Sequence, residues 1–308
     1  MKAPIGGRRT ARSLGTVLTA GAAALALAAA PAANAAPAAA TARAAAPPPE
    51  LNFDDCPALP DGAIPEFWLC SVVVITGGTL QLGKINQKIT APMKMTYANG
   101  FDPVTLESKS IFGPLKGAPV KVDGGVLGIP GSDFLPLLQI HAQPQFAATP
   151  EPAPQDAPGI VYRLKLKIKT INPLLGDTCY IGSNANPITL NLIWGTTNPP
   201  PPNKPISGVF PEPVPDHPEV LSSRLVDNAF AVPKSSGCGP FGLLNPIADF
   251  RAGLPAKAGT NTAIFDNYVA NRAYTGQTLS KSQVAQFQAK VKAKIKAAKA
   301  AKAKAKRK

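Results

Sequence analysis

The sequence predicts an all-β protein: a single antiparallel sandwich or barrel-like domain with long Pro-rich loops, followed by a C-terminal Lys/Ala-rich helical or disordered tail. Three observations predict it. Apolar and polar residues alternate over several short segments, as half-buried strands with one wet face require. Glycine and proline interrupt the chain every few residues, 26 and 35 times in 308 residues, which suits short strands joined by turns. Helical periodicity is almost absent before residue 278.

The first element is an export signal at residues 1–35. Lys2, Arg8, Arg9 and Arg12 form a positive start without an acid. Residues 13–30 are Ala/Leu-rich, and Ala33-Asn34-Ala35 supplies the small residues of a cleavage site. The apolar run is too weak for an anchor, so the mature chain is expected outside the cytoplasm, with no integral membrane segment once the signal is removed. Arg8-Arg9 lacks the bulky apolar residues of a twin-arginine signal, which favours the general secretory route. Residues 36–50 read as a disordered Ala/Pro spacer.

The all-β domain is placed at residues 51–277. Residues 68–76 (WLCSVVVIT), bounded by Pro65 and Gly77-Gly78, read as a strand and a turn. Leu80 and Leu82, then Met93, Met95 and Tyr97, alternate with polar neighbours. Residues 161–171 (VYRLKLKIKTI) are the clearest strand, with Leu164, Leu166 and Ile168 on one face and Lys165, Lys167 and Lys169 on the other. The lysines read as a solvated face that discourages edge pairing. Ile188, Leu190, Leu192 and Trp194 repeat the alternation. Residues 144–158 and 199–218, the second with nine prolines, read as surface connections in extended polyproline geometry.

Four cysteines, Cys56, Cys70, Cys179 and Cys238, in an exported chain read as two disulfides with three possible connectivities. Sequence proximity favours Cys56–Cys70 and Cys179–Cys238. On the chain-entropy argument these contribute roughly 3 and roughly 4 kcal/mol. No C-x-x-C spacing exists and histidine occurs twice, so neither a metal site nor a cofactor is expected.

No nucleophile elbow, zinc-protease helix, phosphate loop or EF-hand loop is present. His217 beside Asp216 could be oriented as in a catalytic triad, but a proline-rich loop holds an imidazole too loosely. His141 reads as a half-buried residue. Asp54 and Asp55 are adjacent, so a strand would point them apart. Asp177 and Asp227 read as turn acids bonded to backbone. No catalytic residue is singled out.

Several segments carry a resemblance. Residues 176–183 (GDTCYIGS), 186–188 (NPI) with Leu190, 195–202 (GTTNPPPP) and 205–208 (PISG) are among them. Residues 225–233 (LVDNAFAVP), 237–239 (GCG), 253–255 (GLP) and 259–263 (GTNTA) complete the set. Together they resemble a family of secreted actinobacterial proteins of unknown function, over roughly residues 51 to 268. The resemblance implies an exported all-β domain and no activity.

The tail, residues 278–308, lies beyond that similarity. Residues 281–308 hold eleven Lys or Arg and no acid, and the chain from 36 to 280 holds seventeen bases against eighteen acids. The formal charge of +14 is therefore a property of the two ends. Ser280–Gln283 has the form of a capping box, and Val284, Phe287, Val291 and Ile295 recur at helical spacing. Like charges at Lys290/Lys294 and Lys292/Lys296 oppose the helix until a polyanion neutralises them. The expected binding set is Lys290, Lys292, Lys294, Lys296, Lys299, Lys302, Lys304, Lys306, Arg307 and Lys308. The expected partners are acidic polymers: cell-wall polyanions, extracellular DNA or glycosaminoglycans. The expected function is a non-enzymatic β-domain retained at the envelope by this tail. A secreted hydrolase of envelope carbohydrate or peptide, and a host-directed adhesin, are the alternatives.

If about six of the tail cations displace counterions, log K against log salt should slope at roughly −4 to −5. Exchanging Lys290, Lys292, Lys294 and Lys296 for glutamine should flatten that slope by about 3. Titration of the full mature chain with an acidic polymer at several salt concentrations measures both. Equal binding by the tailless chain would remove the tail from the interaction.

Overall fold

The computed structural model describes residues 49–60, 63–101 and 107–274, together with Ala289, Lys292, Ala293 and Lys296. The export signal, nearly all of the spacer and most of the tail lie outside the described residues. Within the tail, the four described residues are helical and exposed. The tail cations other than Lys292 and Lys296 are not among them.

The domain is mostly β. In chain order the strands are β1 (Trp68–Leu82), β2 (Ile85–Lys88), β3 (Met93–Phe101), β4 (Ser108–Phe112), β5 (Lys116–Gly117) and β6 (Val120–Val122). They continue with β7 (Ile140–Phe146), β8 (Glu151–Pro152), β9 (Tyr162–Ile171), β10 (Tyr180–Ile181) and β11 (Ile188–Leu192). The last are β12 (Val209–Val214), β13 (His217–Asp227), β14 (Ser235–Ser236) and β15 (Thr262–Ala273), with the α-helix α1 (Asn245–Ala252) before β15. They form two antiparallel sheets. The first runs β12-β13-β15-β1-β3-β4, with β2 on β1 and β5 on β3. The second runs β14-β10-β9-β7-β6, with β11 and β8 also on β9.

One core joins the inner faces. Leu164, Leu166 and Ile168 of β9 and Ile188, Leu190 and Leu192 of β11 pack with Leu82, Leu225, Ala263 and Phe265 of the first sheet. The alternation in β9 and β11 is thus used as the sequence predicted, apolar side inward. The lysines of β9 guard no edge, however, because β9 is central. Lys165 instead pairs with Glu151 at 2.8 Å and Lys167 lies 4.8 Å from the Tyr180 ring centroid.

The turn expected at Gly77-Gly78 is absent. β1 runs straight through it, paired with β15 from Leu69–Ala273 to Gln81–Thr262, with a bulge between Ile75 and Gly77. The extra residue, Thr76, reverses which side chains face inward. Before it, Val73 packs with Phe146 and Tyr162 of the second sheet, while Cys70, Val72 and Val74 face outward. After it, Leu80 and Leu82 face inward. A one-residue register change moves every later side chain to the other face. Gly78 permits the bulge: it sits at φ +109°, and a Cβ there would lie 1.9 Å from the Ile264 carbonyl oxygen.

The outward face of β1 is covered by residues 51–56. Leu51, Phe53 and Cys56 pack on Cys70, Val72 and Val74, and the Cys56–Cys70 disulfide closes the contact. Asp55 accepts from Lys94 at 2.8 Å and Lys116 at 2.5 Å. The hydrogen bonds from Lys116 and Lys94 hold its carboxyl below the usual range.

The proline-rich segments are more ordered than read. Pro144 lies inside β7, opposite Ile168 of β9. Residues 209–227 form the β12–β13 hairpin, turning at Pro215-Asp216 between the paired Val214 and His217. β12 is an edge strand, where a proline's missing N–H costs no ladder bond.

Replacing Gly77 and Gly78 separately by alanine tests the bulge. A Cβ on Gly77 would meet nothing closer than 3.5 Å, so Gly77→Ala should be neutral or stabilise by up to about 1 kcal/mol. Gly78→Ala should destabilise by more than about 1 kcal/mol. Urea midpoints of the two variants measure the contrast.

Candidate functional site

None of the acids or imidazoles weighed from the sequence converge. His217 opens β13, exposed, with Nδ1 3.5 Å from Glu219 Oε1 rather than held by Asp216. His141 is half-buried in β7, as read, and opposite Ile171. Asp177 is exposed. Asp227 is buried and accepts the N–H groups of Asn191 at 2.6 Å and Ala229 at 2.9 Å. Burial raises its carboxyl above the ordinary value, partly offset by those two bonds. Its role is to satisfy backbone donors. Among the described residues, no three of His, Cys, Asp and Glu gather as metal ligands do.

The sequence reading missed the feature that stands out, an apolar cavity of about 270 Å³. Three walls enclose it. The β1–β2 hairpin supplies Leu80, Leu82, Ile85 and Ile89. The second sheet supplies Val120, Val122, Ile140, Ala142 and Ile168. The third wall is α1, through Leu244, Ile247, Ala248 and Arg251.

α1 itself was not anticipated, although its ends are marked. Pro246 lies in the first turn and Gly253 follows the last residue at φ +66°. The Gly253 N–H donates to the Phe250 carbonyl and the Leu254 N–H to the Asp249 carbonyl, the paired bonds of a Schellman cap. Proline near the start and glycine past the end is a readable helix signal. The low hydrophobic periodicity of eight residues hid it.

Polar bonds and a disulfide fasten α1 in place. Asp249 Oδ1 accepts from Ser235 N at 2.7 Å, Asn245 Oδ1 from Cys238 N at 2.8 Å, and Ser235 Oγ donates to the Asn245 carbonyl. Cys238 is bonded to Cys179, and this pair packs with Leu175, Ile140, Leu244 and Ala248. Both disulfides join the cysteines that sequence proximity favoured, and no free cysteine remains.

The cavity reaches the surface, since Lys88, Leu174 and Ile247 among its lining residues are exposed. Its surroundings are unusually apolar. Of the thirteen exposed large hydrophobic side chains among the described residues, ten lie at 127–137, at 174 or at 241–250. The loop carrying Leu127 and Ile129 is held against α1 by Arg251, whose Nε donates to the Gly125 carbonyl at 3.0 Å and Nη2 to the Asp123 carbonyl at 3.2 Å. Burial pushes the Arg251 guanidinium below its ordinary value. Phe250, 80% exposed, carries the Lys84 ammonium 5.1 Å from its ring centroid. Large contiguous apolar exposure marks a place of interaction. No family model matches this chain, and no curated protein or solved structure matches it either.

Exchanging both Cys179 and Cys238 for serine should cost about 4 kcal/mol, the value for so long a loop. It should also release α1 first. Hydrogen exchange should accelerate in residues 239–253 in that variant, and stay slow there when Cys56 and Cys70 are exchanged instead.

Proposed function

We propose that this is an exported, non-enzymatic carrier that holds an apolar molecule in the cavity between its two sheets and α1. The observation that carries the reading is the cavity. It exceeds the roughly 150 Å³ apolar space that stays dry and takes up benzene, and nineteen of its twenty-five lining side chains are apolar. Water gains little deep in the space, because the Asn172 amide in its wall is already bonded within the protein. Asn172 Nδ2 donates to the carbonyls of Leu137 and Gln139, and its Oδ1 accepts the Leu174 N–H. An apolar guest loses unfavourable hydration and gains dispersion contacts.

The address comes from the ends of the chain. The signal at residues 1–35 exports the protein, and the tail at 278–308 retains it on acidic envelope polymer. The resemblance to secreted actinobacterial proteins over residues 51 to 268 supports the same location. Two disulfides suit an oxidising compartment. No helix among the described residues is long and apolar enough to cross a membrane.

A neutral apolar dye, N-phenyl-1-naphthylamine, tests the cavity directly. Its fluorescence should rise on titration into the mature chain and saturate at one site. Ala248→Phe and, independently, Ala142→Phe place a ring in the space and should abolish the rise while leaving circular dichroism intact. A dye response unchanged in both folded variants would place binding elsewhere and sink the carrier reading.

A further inference from the structure

We infer that the guest is a single-chain anionic amphiphile, with its hydrocarbon chain in the cavity and its carboxylate or phosphate against Arg251 and Lys88; this rests on the carrier reading. Among the residues lining the cavity only these two are charged, and both are cations. Lys88 ends β2 and is exposed, whereas Arg251 is half-buried on the last turn of α1. The head would therefore sit where the lining meets solvent.

Arg251 is the stronger argument. A guanidinium has five N–H donors. Two are spent on the carbonyls of Gly125 and Asp123, which are neutral and leave its charge unmatched. No neighbouring acid forms an ion pair with it. Asp123 meets Arg251 with its backbone, Asp249 serves the Ser235 N–H, and Asp133 pairs with Lys121 at 2.8 Å. A partly buried cation without a counter-charge is costly, and a carboxylate or phosphate presents paired oxygens that can accept the planar fork of a guanidinium bidentately. A neutral head could accept from the same donors but would bring no charge to match the guanidinium. Both Asn172 Nδ2 hydrogens are spent on the Leu137 and Gln139 carbonyls, and the Ser235 hydroxyl proton on the Asn245 carbonyl.

The experiment compares amphiphiles of one chain length on the full mature chain: dodecanoate, dodecyl phosphate and dodecanol, each displacing the dye. Either anion should bind about tenfold or more tightly than the alcohol, the scale of one charge-assisted hydrogen bond. The better anion identifies the head as a fatty acid's carboxylate or a phospholipid-like phosphate. Arg251→Met should remove most of that preference, and Lys88→Met part of it, with dodecanol affinity changed less than about twofold. Because Arg251 also braces the loop at residues 123–125, the ratio of anion to alcohol affinity is the deciding readout. Equal binding of anion and alcohol by the unaltered protein overturns the inference while leaving the carrier reading intact. So does an Arg251→Met variant that weakens all three ligands alike. Failure of all three to displace the dye would sink the carrier reading itself.

Discussion

The bulge at Thr76 is the constraint on which the rest of the domain depends. β1 has to serve two structures along its 15 residues. Its first half buries Val73 inside and presents Val72 and Val74 to the covering N-terminal segment. Its second half must turn Leu80 and Leu82 inward to form a wall. Those positions differ in parity, and a regular strand cannot present both sets to one side. One unpaired residue resolves the conflict without interrupting the ladder to β15. The hairpin with β2, and with it the cavity wall, exists because that correction is made before residue 80.

The cavity follows from the way the two sheets end. Where β9 and β11 face β13 and β15, side chains interlock and the core is tight. Toward the β1–β2 hairpin the second sheet is faced by α1 and by the loop at residues 123–139 rather than by further strands. A two-turn helix with small inward residues, Ala248 and Ala252, does not fill that space. Most proteins would close such a gap, since unfilled volume forfeits contacts. Here the gap is braced by the Cys179–Cys238 disulfide, the Asn245 and Asp249 hydrogen bonds and the Arg251 clamp. That bracing fits a space kept open for an occupant.

The two ends of β15 lie far apart. β15 begins at Thr262, near the hairpin, and ends at Ala273 opposite Leu69, roughly 35 Å away at the usual strand rise. The chain therefore leaves the domain at the end remote from the cavity mouth. A tail anchored to polymer from that end would leave the mouth free to exchange its guest.

Local pattern determined much of this protein. Alternation in residues 161–171 and 188–194 is a two-residue period, so it announces both a strand and its buried face without reference to anything distant. The even cysteine count, with nearest cysteines paired, led to the observed disulfides, although the second spans 59 residues. Gly77-Gly78 and the proline-dense hairpin at 209–227 misled, because a glycine pair suits a turn or a bulge equally and only the partner strand, approaching within 1.9 Å of where a Gly78 Cβ would lie, decides between them. The cavity was illegible throughout. Its lining is drawn from residues 80 to 252, each an ordinary core side chain in its own segment. An empty space is a property of how well surfaces meet, and Arg251 acquires its meaning only when the fold sets it, half-buried and without an acid partner, at the edge of that space.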